Sequence, residues 1–467
     1  MEPVPGRPVI VSRGEAFAIR IDAPEEVELD KVLLGPAVSR GAGGYEARIV
    51  GTRAGADGEP YEVLAKLPYV LPAGLYDLIV QFKMGSVNYI EERAAAVNIV
   101  DSEPPFSFAV LGYPDSPGQG GFTIQAISKL KNAMLELSTL TPDFVVFLGG
   151  MGSGPWEARN YRVLRDVLRE ELLAPVVALP MAGDLSATHL LNFRLSDGAE
   201  QWKSFFPLKP YSFDRAGYRF VFMFAEPCGD GSRSTQEIVE GCIGEESVAW
   251  LKKLVEDAAG LKLVVFLPNI PLAPGSGGFR GSVENPLDRR SEKALLEILK
   301  GRGATLFTSG MSRDAVLGGA GDVRIINTGR DEAGFLPRFR IITAGAEGLD
   351  GLHYLSLPNA IPFGRLRVTY AKPNNGAARK NRIVVTSEIG RDLAGLRAIA
   401  VMAPLKTGGY KIDGAKVKMR SAETKHVFVL SFDLKNGGQK VITIEKREKA
   451  ASRKGKTNDR STEKSAN

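Results

Sequence analysis

The 467-residue chain has few of the residues on which common metal sites and membrane anchors depend. It contains only three histidines and two cysteines, and the cysteines do not have the spacing of a metal site. It has no apolar run near the roughly 20 residues that a membrane span needs. The start of the chain lacks the basic and apolar regions of a signal peptide. We therefore expect a cytoplasmic protein, or an extracellular one if a signal has been removed.

The two cysteines, Cys228 and Cys242, lie 14 residues apart in a polar, glycine-containing stretch. We expect two free thiols. The alternative is a disulfide that closes this loop, and a disulfide would indicate an oxidising compartment.

Excess positive charge is found at the end of the chain. Of the net charge of +6, residues 446–467 contribute +5, with eight Lys or Arg against three Asp or Glu. Residues 1–445 are therefore near +1, and we do not expect the folded body to bind nucleic acid through its charge. Any attraction to a polyanion is assigned to the tail, which has few apolar residues and is predicted to be disordered.

One stretch of the chain has the pattern of a buried parallel sheet. Residues 106–111 and 144–148 are short apolar runs, and residues 127–140 between them carry apolar side chains at helical spacing. This order predicts a strand–helix–strand unit. In such sheets ligands bind at the carboxyl ends of the strands, which here are residues 112–115 and 149–152.

Composition divides the chain into four parts. Residues 1–101 read as short alternating strands and predict an immunoglobulin-like β-sandwich. Residues 102–345 alternate strands with helices, and residues 346–445 return to short strands, which predicts a second β-sandwich. Residues 446–467 form the basic tail. The expected fold class is thus multidomain, α/β plus all-β.

Two local signals predict the ends of particular elements. Lys435-Asn-Gly-Gly lies between two strand-like runs, 427–432 and 440–444, and predicts a β-hairpin. A helix over residues 291–300 has Ser291 as its expected N-cap.

Residues 106–330, about half of the chain, resemble the calcineurin-like metallophosphoesterase superfamily. The resemblance rests on segments in the family's order, among them Pro142-Asp-Phe-Val-Val-Phe-Leu-Gly, Val176-Val-Ala-Leu-Pro, Leu263-Val-Val-Phe and Thr305-Leu-Phe-Thr-Ser-Gly. It implies a four-layer α/β sandwich, flanked here by the two β-sandwich domains. In this family two cations, held by Asp, Asn and His, activate a water that attacks phosphorus.

The strand ends at which the family holds its metal ligands carry other residues in this chain. None of the histidines, His189, His353 and His426, falls on a ligand position. Asp184 either replaces the family's ligating Asn or corresponds to a trailing Asp that is not a ligand. The resemblance places these residues in the remnant cleft: Tyr113, Asp115, Gly150, Asp184, Asn269, Met311 and Arg313.

Without histidine ligands the family's dinuclear centre is not expected to form, so no catalytic, cofactor or metal residue is assigned. The alternative is a metal held by Asp115, Asp184 and Asn269, whose oxygen ligands would suit Mg²⁺ or Ca²⁺. Arg313 either binds phosphate or carboxylate or pairs with Asp115 or Asp184 and seals the site. We expect the sealed arrangement.

The sequence therefore predicts a degenerate metallophosphoesterase, a pseudo-enzyme, that acts in binding or assembly. Its expected partners are proteins or further copies of itself, contacted through the β domains, and an anion in the cleft. The alternative is an active phosphoric ester hydrolase with a non-standard divalent-metal site. A third hypothesis is nucleotide binding by the glycine-rich stretch 149–154, which fits neither the dinucleotide nor the phosphate-loop motif.

Overall fold

The structure is a computed structural model with β-structure at both ends and mixed α/β structure between them. It describes residues 1–4, 6–23, 27–39, 44–53, 60–100, 106–112, 124–150, 157–190, 193–229, 232–233, 239–258, 260–271, 286–309, 315–318, 321–329, 338–350, 361–362, 364–405, 408–421 and 425–447. The basic tail beyond residue 447 thus lies outside the described residues.

The N-terminal β unit consists of two sheets that share one core. Its sheets have the strand orders β1-β8-β7-β3-β4 and β2-β6-β5, and buried side chains from both form a single apolar cluster. Its strands are β1 (Val9–Ser12), β2 (Ala16–Ile21), β3 (Val27–Pro36), β4 (Tyr45–Glu46), β5 (Arg48–Arg53), β6 (Tyr61–Lys66), β7 (Gly74–Met84) and β8 (Val87–Val100), with a 3₁₀ turn at Ala37–Ser39.

The central α/β unit contains six α-helices among its described residues. These are α1 (Ile124–Leu140), α2 (Glu157–Glu171), α3 (Ala182–Leu185), α4 (Gly198–Lys203), α5 (Glu245–Glu256) and α6 (Arg289–Leu299). Its strands are β9 (Phe106–Leu111), β10 (Phe144–Leu148), β11 (Val176–Leu179), β12 (Ala187–Leu190), β13 (Phe193–Ser196), β14 (Tyr211–Arg215), β15 (Tyr218–Phe222), β16 (Glu226–Pro227), β17 (Ser232–Arg233), β18 (Gly241–Cys242), β19 (Lys262–Phe266), β20 (Thr305–Thr308), β21 (Ala315–Gly318), β22 (Arg324–Asn327), β23 (Arg338–Ala344), β24 (Leu349–Asp350) and β25 (Ile361–Pro362).

Two sheets of this unit pack face to face. The first, called sheet A, has the order β11-β10-β9-β23-β24, with β25 also paired to β23; the second, sheet B, has the order β14-β15-β19-β20-β22-β21. Their inner faces form an aromatic core that includes Phe108, Phe144, Phe222 and Phe266. The outer face of sheet A packs against α1, α2 and α4, and that of sheet B against α5 and α6. Because every strand at the centre is covered on both faces, its sequence is apolar throughout rather than alternating.

The C-terminal β unit, residues 364–447, again has two sheets around one core. Its strands are β26 (Leu366–Tyr370), β27 (Lys380–Ser387), β28 (Leu393–Met402), β29 (Tyr410–Asp413), β30 (Lys416–Ser421), β31 (His426–Leu434) and β32 (Gln439–Lys446). The sheet orders are β26-β27-β32-β29 and β28-β31-β30. The structure is therefore mixed α/β, with strand more abundant than helix.

Several expectations from the sequence are wrong. Strands β31 and β32 are consecutive but lie in different sheets, so the turn at 435–438 joins two sheets and is not a hairpin. Helix α6 begins at Arg289 with Asp288 as its N-cap, because the Asp288 carboxylate accepts the N–H of Arg290 and of Ser291. Cys228 and Cys242 form a disulfide rather than two free thiols.

No helix in the described part of the chain is long and apolar enough to cross a membrane.

Candidate functional site

The carboxyl ends of the two central sheets meet at one edge of the α/β unit. Ser309, which follows β20 of sheet B, donates its hydroxyl hydrogen to the carbonyl of Leu148, the last residue of β10 in sheet A. Gly112, after β9, lies so close to the carbonyl groups of Thr328 and Gly329 that a Cβ at this position would overlap them. The strand ends that the sequence singled out therefore converge, as expected for ligand sites of parallel sheets.

A two-glycine turn closes the end of β10. Gly149 and Gly150 have φ angles of +70° and +72°, a conformation that glycine adopts without steric cost. A Cβ at Gly149 would lie 2.8 Å from the backbone nitrogen of Met181. The turn thus brings the backbone of β10 against the start of α3.

Asp184 lies in α3 and binds this turn. Its Oδ2 accepts the N–H of Gly150 at 2.8 Å and the N–H of Met181 at 2.9 Å, and the residue is 2% exposed. A carboxylate oxygen has about two lone-pair directions, and both on Oδ2 are directed at backbone N–H groups. The charge of Asp184 therefore stabilises the packing of two chain segments.

Asn269 comes from the other sheet and contacts the same helix. It follows β19, is fully buried, and its Oδ1 accepts the N–H of Ala182 at 3.2 Å. A Cβ at Gly241 would lie 2.7 Å from its amide nitrogen. The side-chain oxygens of Asp184 and Asn269 thus accept N–H groups from the consecutive residues Met181 and Ala182.

A buried arginine holds the neighbouring strand ends together. Arg340 of β23 is 3% exposed; its Nε donates to Oγ1 of Thr328 at 3.1 Å and its Nη2 to the carbonyl of Asn327 at 3.3 Å. Thr308 donates its hydroxyl to Oδ1 of Asn327 at 3.3 Å. We call Asp184, Asn269, Thr308, Ser309, Asn327, Thr328 and Arg340 the polar layer.

The structure therefore brings together three of the seven residues of the predicted cleft. Gly150 and Asp184 are hydrogen-bonded to each other, and Asn269 adjoins them through α3. The other four, Tyr113, Asp115, Met311 and Arg313, lie outside the described residues, so the predicted roles of Asp115 and Arg313 stay predictions.

The structure places two of the three histidines. His426 is the first residue of β31 in the C-terminal β unit and is buried beside Tyr410, with ring centroids 5.4 Å apart. His189 lies in the short strand β12, which pairs with β13 and β17. His353 lies outside the described residues.

Among the described residues, one group of ligand-type side chains lies close enough together for a shared ion. It consists of Cys228, Cys242 and Asp288. Because the two sulfur atoms are joined in a disulfide, they offer no thiolate. In the polar layer the donor set is one carboxylate, two amides, three hydroxyls and a guanidinium, a set that lacks the imidazole ligands of a zinc site.

A cavity of about 770 Å³ lies elsewhere, between the N-terminal β unit and α2. Its lining includes Arg165 and Arg169 of α2, Phe205 after α4, and Glu92 of β8, which pairs with Arg169 at 3.5 Å. The three described cleft residues, Gly150, Asp184 and Asn269, do not line it.

Sequence reasoning missed Arg340, Asn327 and Thr328. A signal was present, because Asn327 ends and Thr328 directly follows an apolar strand, as a ligand residue at a strand end would. Arg340 carries no such signal. It lies inside an antiparallel strand, and only its pairing with β9, where Arg340 lies opposite Val110, brings it to the edge.

The comparisons with known proteins do not identify the chain. No protein-family profile matches it, and no curated protein sequence does. Among solved structures, the protein TT1561 of Thermus thermophilus is similar with a TM-score of 0.28 and 11% identity, covering 48% of this chain and 90% of that one. At this level the likeness carries no argument about function.

Two further solved structures are similar at still lower TM-scores. The amylomaltase from Corynebacterium glutamicum gives a TM-score of 0.16 at 15% identity, with 31% of this chain and only 21% of the amylomaltase covered. A family 123 glycoside hydrolase from Clostridium perfringens gives 0.14 at 9% identity, covering 64% and 59%. The site must therefore be interpreted from its own chemistry.

Proposed function

We propose that the protein is a catalytically degenerate metallophosphoesterase that acts in binding or assembly through its β units. The proposal takes the central α/β unit as the four-layer sandwich of that superfamily and the flanking units as immunoglobulin-like sandwiches. It assigns no catalytic residue and no resident metal to the described strand ends.

One observation carries the proposal: Asp184, the acidic candidate ligand among the described residues, serves the fold. Its Oδ2 accepts two backbone N–H groups, and Asn269 beside it accepts a third. A carboxylate that ligates a cation directs its lone pairs at the ion, as in oxygen-ligand sites. Here the lone pairs of Oδ2 are directed at the backbone. This favours a sealed edge and not a metal centre.

Support for a binding role comes from the way the β units are joined to the centre. Asn98 of β8 donates its amide to the carbonyl of Asp143 at 2.7 Å. At the C-terminal unit, Glu136 of α1 accepts the N–H of Gly364 and of Leu366 at 2.7 and 2.8 Å. These buried contacts favour a rigid arrangement in which the central unit presents two β surfaces to partners.

The test is turnover of phosphomonoesters and phosphodiesters by the full chain with Mn²⁺, Zn²⁺ and Mg²⁺ added in turn. We expect no turnover above that of a protein-free control with any of these ions. The variant Asp184→Asn, which keeps the side-chain shape and removes its charge, is expected to match the wild type, as is the exposed Asp166→Asn.

Metal-dependent turnover that is lost in Asp184→Asn and kept in Asp166→Asn would overturn the proposal. It would support the alternative of an active phosphoesterase with a non-standard metal site, with Asp184 in the ligand register.

A further inference from the structure

The charge of the chain is strongly polarised between its parts. Residues 364–447, the C-terminal β unit, contain eighteen Lys or Arg and six Asp or Glu, a net charge of +12. Residues 1–363 contain 36 and 45 respectively, a net charge of −9. The near-neutral average over residues 1–445 hides this difference.

Few of these cations are neutralised within the unit. Four described ones form ion pairs: Arg365, Lys380, Lys411 and Lys435. A fifth, Arg397, is partly buried and attracted to Asp143 of the central unit. The other twelve described Lys and Arg of the unit have no carboxylate within ion-pair distance among the described residues. A fold needs no such excess, since like charges on a small unit repel each other.

Cations from both sheets converge at one end of the unit. The guanidinium of Arg420, on β30, lies 5.6 Å from the centre of the Phe428 ring and 3.4 Å from Nδ1 of His426. The His426 ring packs against Tyr410, which lies opposite Lys446 of the other sheet. Arg420 and Lys446 are thus brought to the same end by buried aromatic packing. Residues 448–467, which follow in the sequence, contain six further Lys or Arg against three Asp or Glu.

A basic edge strand leads to that end. Strand β30 pairs only with β31 in its sheet, and its Lys416, Lys418 and Arg420 are exposed. Lysines on edge strands also prevent aggregation, which explains two or three cations but not an excess of twelve. We call Lys416, Lys418 and Arg420 the basic edge.

The chemistry of this surface favours one kind of polyanion. Its exposed large apolar side chain is Val417, at 47% exposure, and the described residues of the unit form no helix, so they provide neither the apolar anchors nor the amphipathic helix of a membrane-binding surface. Tyr410 and Phe428 are buried, so they do not offer faces for stacking on unpaired bases. Rows of unpaired cations instead match the regular phosphates of a duplex.

We propose that the C-terminal β unit binds the phosphate backbone of double-stranded nucleic acid, independently of base sequence, through the basic edge. The inference names a partner for the proposed binding role. It does not depend on the state of the polar layer, because the phosphoesterase assay reports on that edge alone.

The test is fluorescence anisotropy of labelled mixed-sequence DNA and RNA duplexes with the full chain over a range of salt concentrations. We expect binding whose logarithm falls linearly with the logarithm of salt. The double variant Lys416→Glu/Lys418→Glu is expected to bind the duplex roughly tenfold more weakly at about 0.1 M salt. The slope of log affinity against log salt should become about 2 less steep, because each phosphate contact contributes about 0.9 to it.

The matched control is Lys252→Glu/Lys253→Glu, which makes the same charge change at two adjacent exposed lysines of α5 in the acidic part of the chain. It is expected to change affinity less than about threefold. A full-length variant with the six Lys and Arg of residues 448–467 changed to Gln separates the tail from the folded unit, and it is expected to retain measurable binding with the same dependence on Lys416 and Lys418. Thermal melting verifies that each variant is folded.

Several results would overturn the inference. The first is an absence of duplex binding at low salt. The second is an equal loss of duplex affinity in the two lysine-pair variants, and the third is a complete loss of duplex binding when the tail alone is neutralised. Equal binding to polyglutamate, or binding to phosphatidylserine vesicles in place of duplexes, would also overturn it, because the partner would then be an acidic protein or a membrane. The ratio of the affinities for DNA and RNA duplexes at equal salt shows which of the two nucleic acids is the preferred partner.

Discussion

Two buried carboxylates, Asp184 and Glu136, have the same structural role at different places. Each lies on a helix and accepts two backbone N–H groups: Asp184 from the turn after β10 and from the start of its own helix, and Glu136 from the start of the C-terminal β unit. The sequence drew attention to Asp184 because a family places ligands near it. It gave no reason to single out Glu136, since its partners are more than 200 residues away.

Replacing Asp184 with Ala is expected to lower the free energy of unfolding by about 3 kcal/mol, because two buried N–H groups lose a charged acceptor. Urea unfolding followed by circular dichroism measures the loss. The exposed Asp166→Ala is the control and is expected to stay within about 0.5 kcal/mol of the wild type. An unchanged stability of Asp184→Ala would show that the carboxylate does not support the fold.

Glu136 is expected to make stability depend on pH. Burial raises the pKa of Glu136 from 4.5 to about 7, although the N–H groups of Gly364, Leu366 and Arg365 act in the opposite direction. Because the folded-state pKa lies above the unfolded-state value, protonation favours the folded form. The stabilising contribution is fully present below pH 4.5 and is lost as the pH rises through about 7.

The measurement is urea unfolding between about pH 4.5 and 7.5 for the wild type and for Glu136→Gln, which stays neutral throughout. Between these pH values the free energy of unfolding of the wild type should fall by about 3 kcal/mol relative to that of the variant. This is the loss expected when the pKa of Glu136 is raised by about 2.5. The exposed Glu297→Gln on α6 serves as the control and should run parallel to the wild type. Parallel curves for Glu136→Gln would contradict the assignment.

At the scale of elements, the turn after β10 packs closely against the start of α3. Gly149→Ala is expected to cost about 3 kcal/mol or more, because it adds an overlap with the backbone nitrogen of Met181 to the strain of a positive φ. Gly217→Ala has a similar φ of +79° but no atom within 4 Å of the new Cβ.

This control should therefore cost only the strain of about 1–2 kcal/mol. Equal losses of unfolding free energy in the two alanine variants, measured by urea unfolding, would show that the turn is not packed against α3 as described.

Most of the central elements follow from the sequence because their patterns are local. The apolar strands β9 and β10 and the helix between them were predicted close to their observed bounds. The pairing of strands was less predictable. The turn after Lys435 has hairpin residues, yet β32 pairs with β27 and β29 while β31 pairs with β28 and β30, since the two faces of the sandwich core decide which sheet each strand joins.

At the scale of the whole molecule, the sequence predicted the location of the candidate site but not its hydrogen bonds. The rule that ligands bind at strand ends located Gly150, and the family resemblance located Asp184 and Asn269 at the same edge. Their hydrogen-bond partners, and the arrival of Arg340, depend on how two sheets pack and cannot be read from spacing. The net charge of residues 1–445 is likewise an average, and it conceals a C-terminal unit of +12 beside a remainder of −9.

The measurement that tests the central claim most directly is the metal content of the full chain. The protein is incubated with Mn²⁺, Zn²⁺ and Mg²⁺ in turn, desalted, and analysed by mass spectrometry for bound metal, beside the variant Asp184→Asn. The account predicts less than one ion per chain in every case and no difference between the wild type and the variant. Two ions per chain in the wild type, lost in Asp184→Asn, would contradict it and show that the strand ends form a working metal centre.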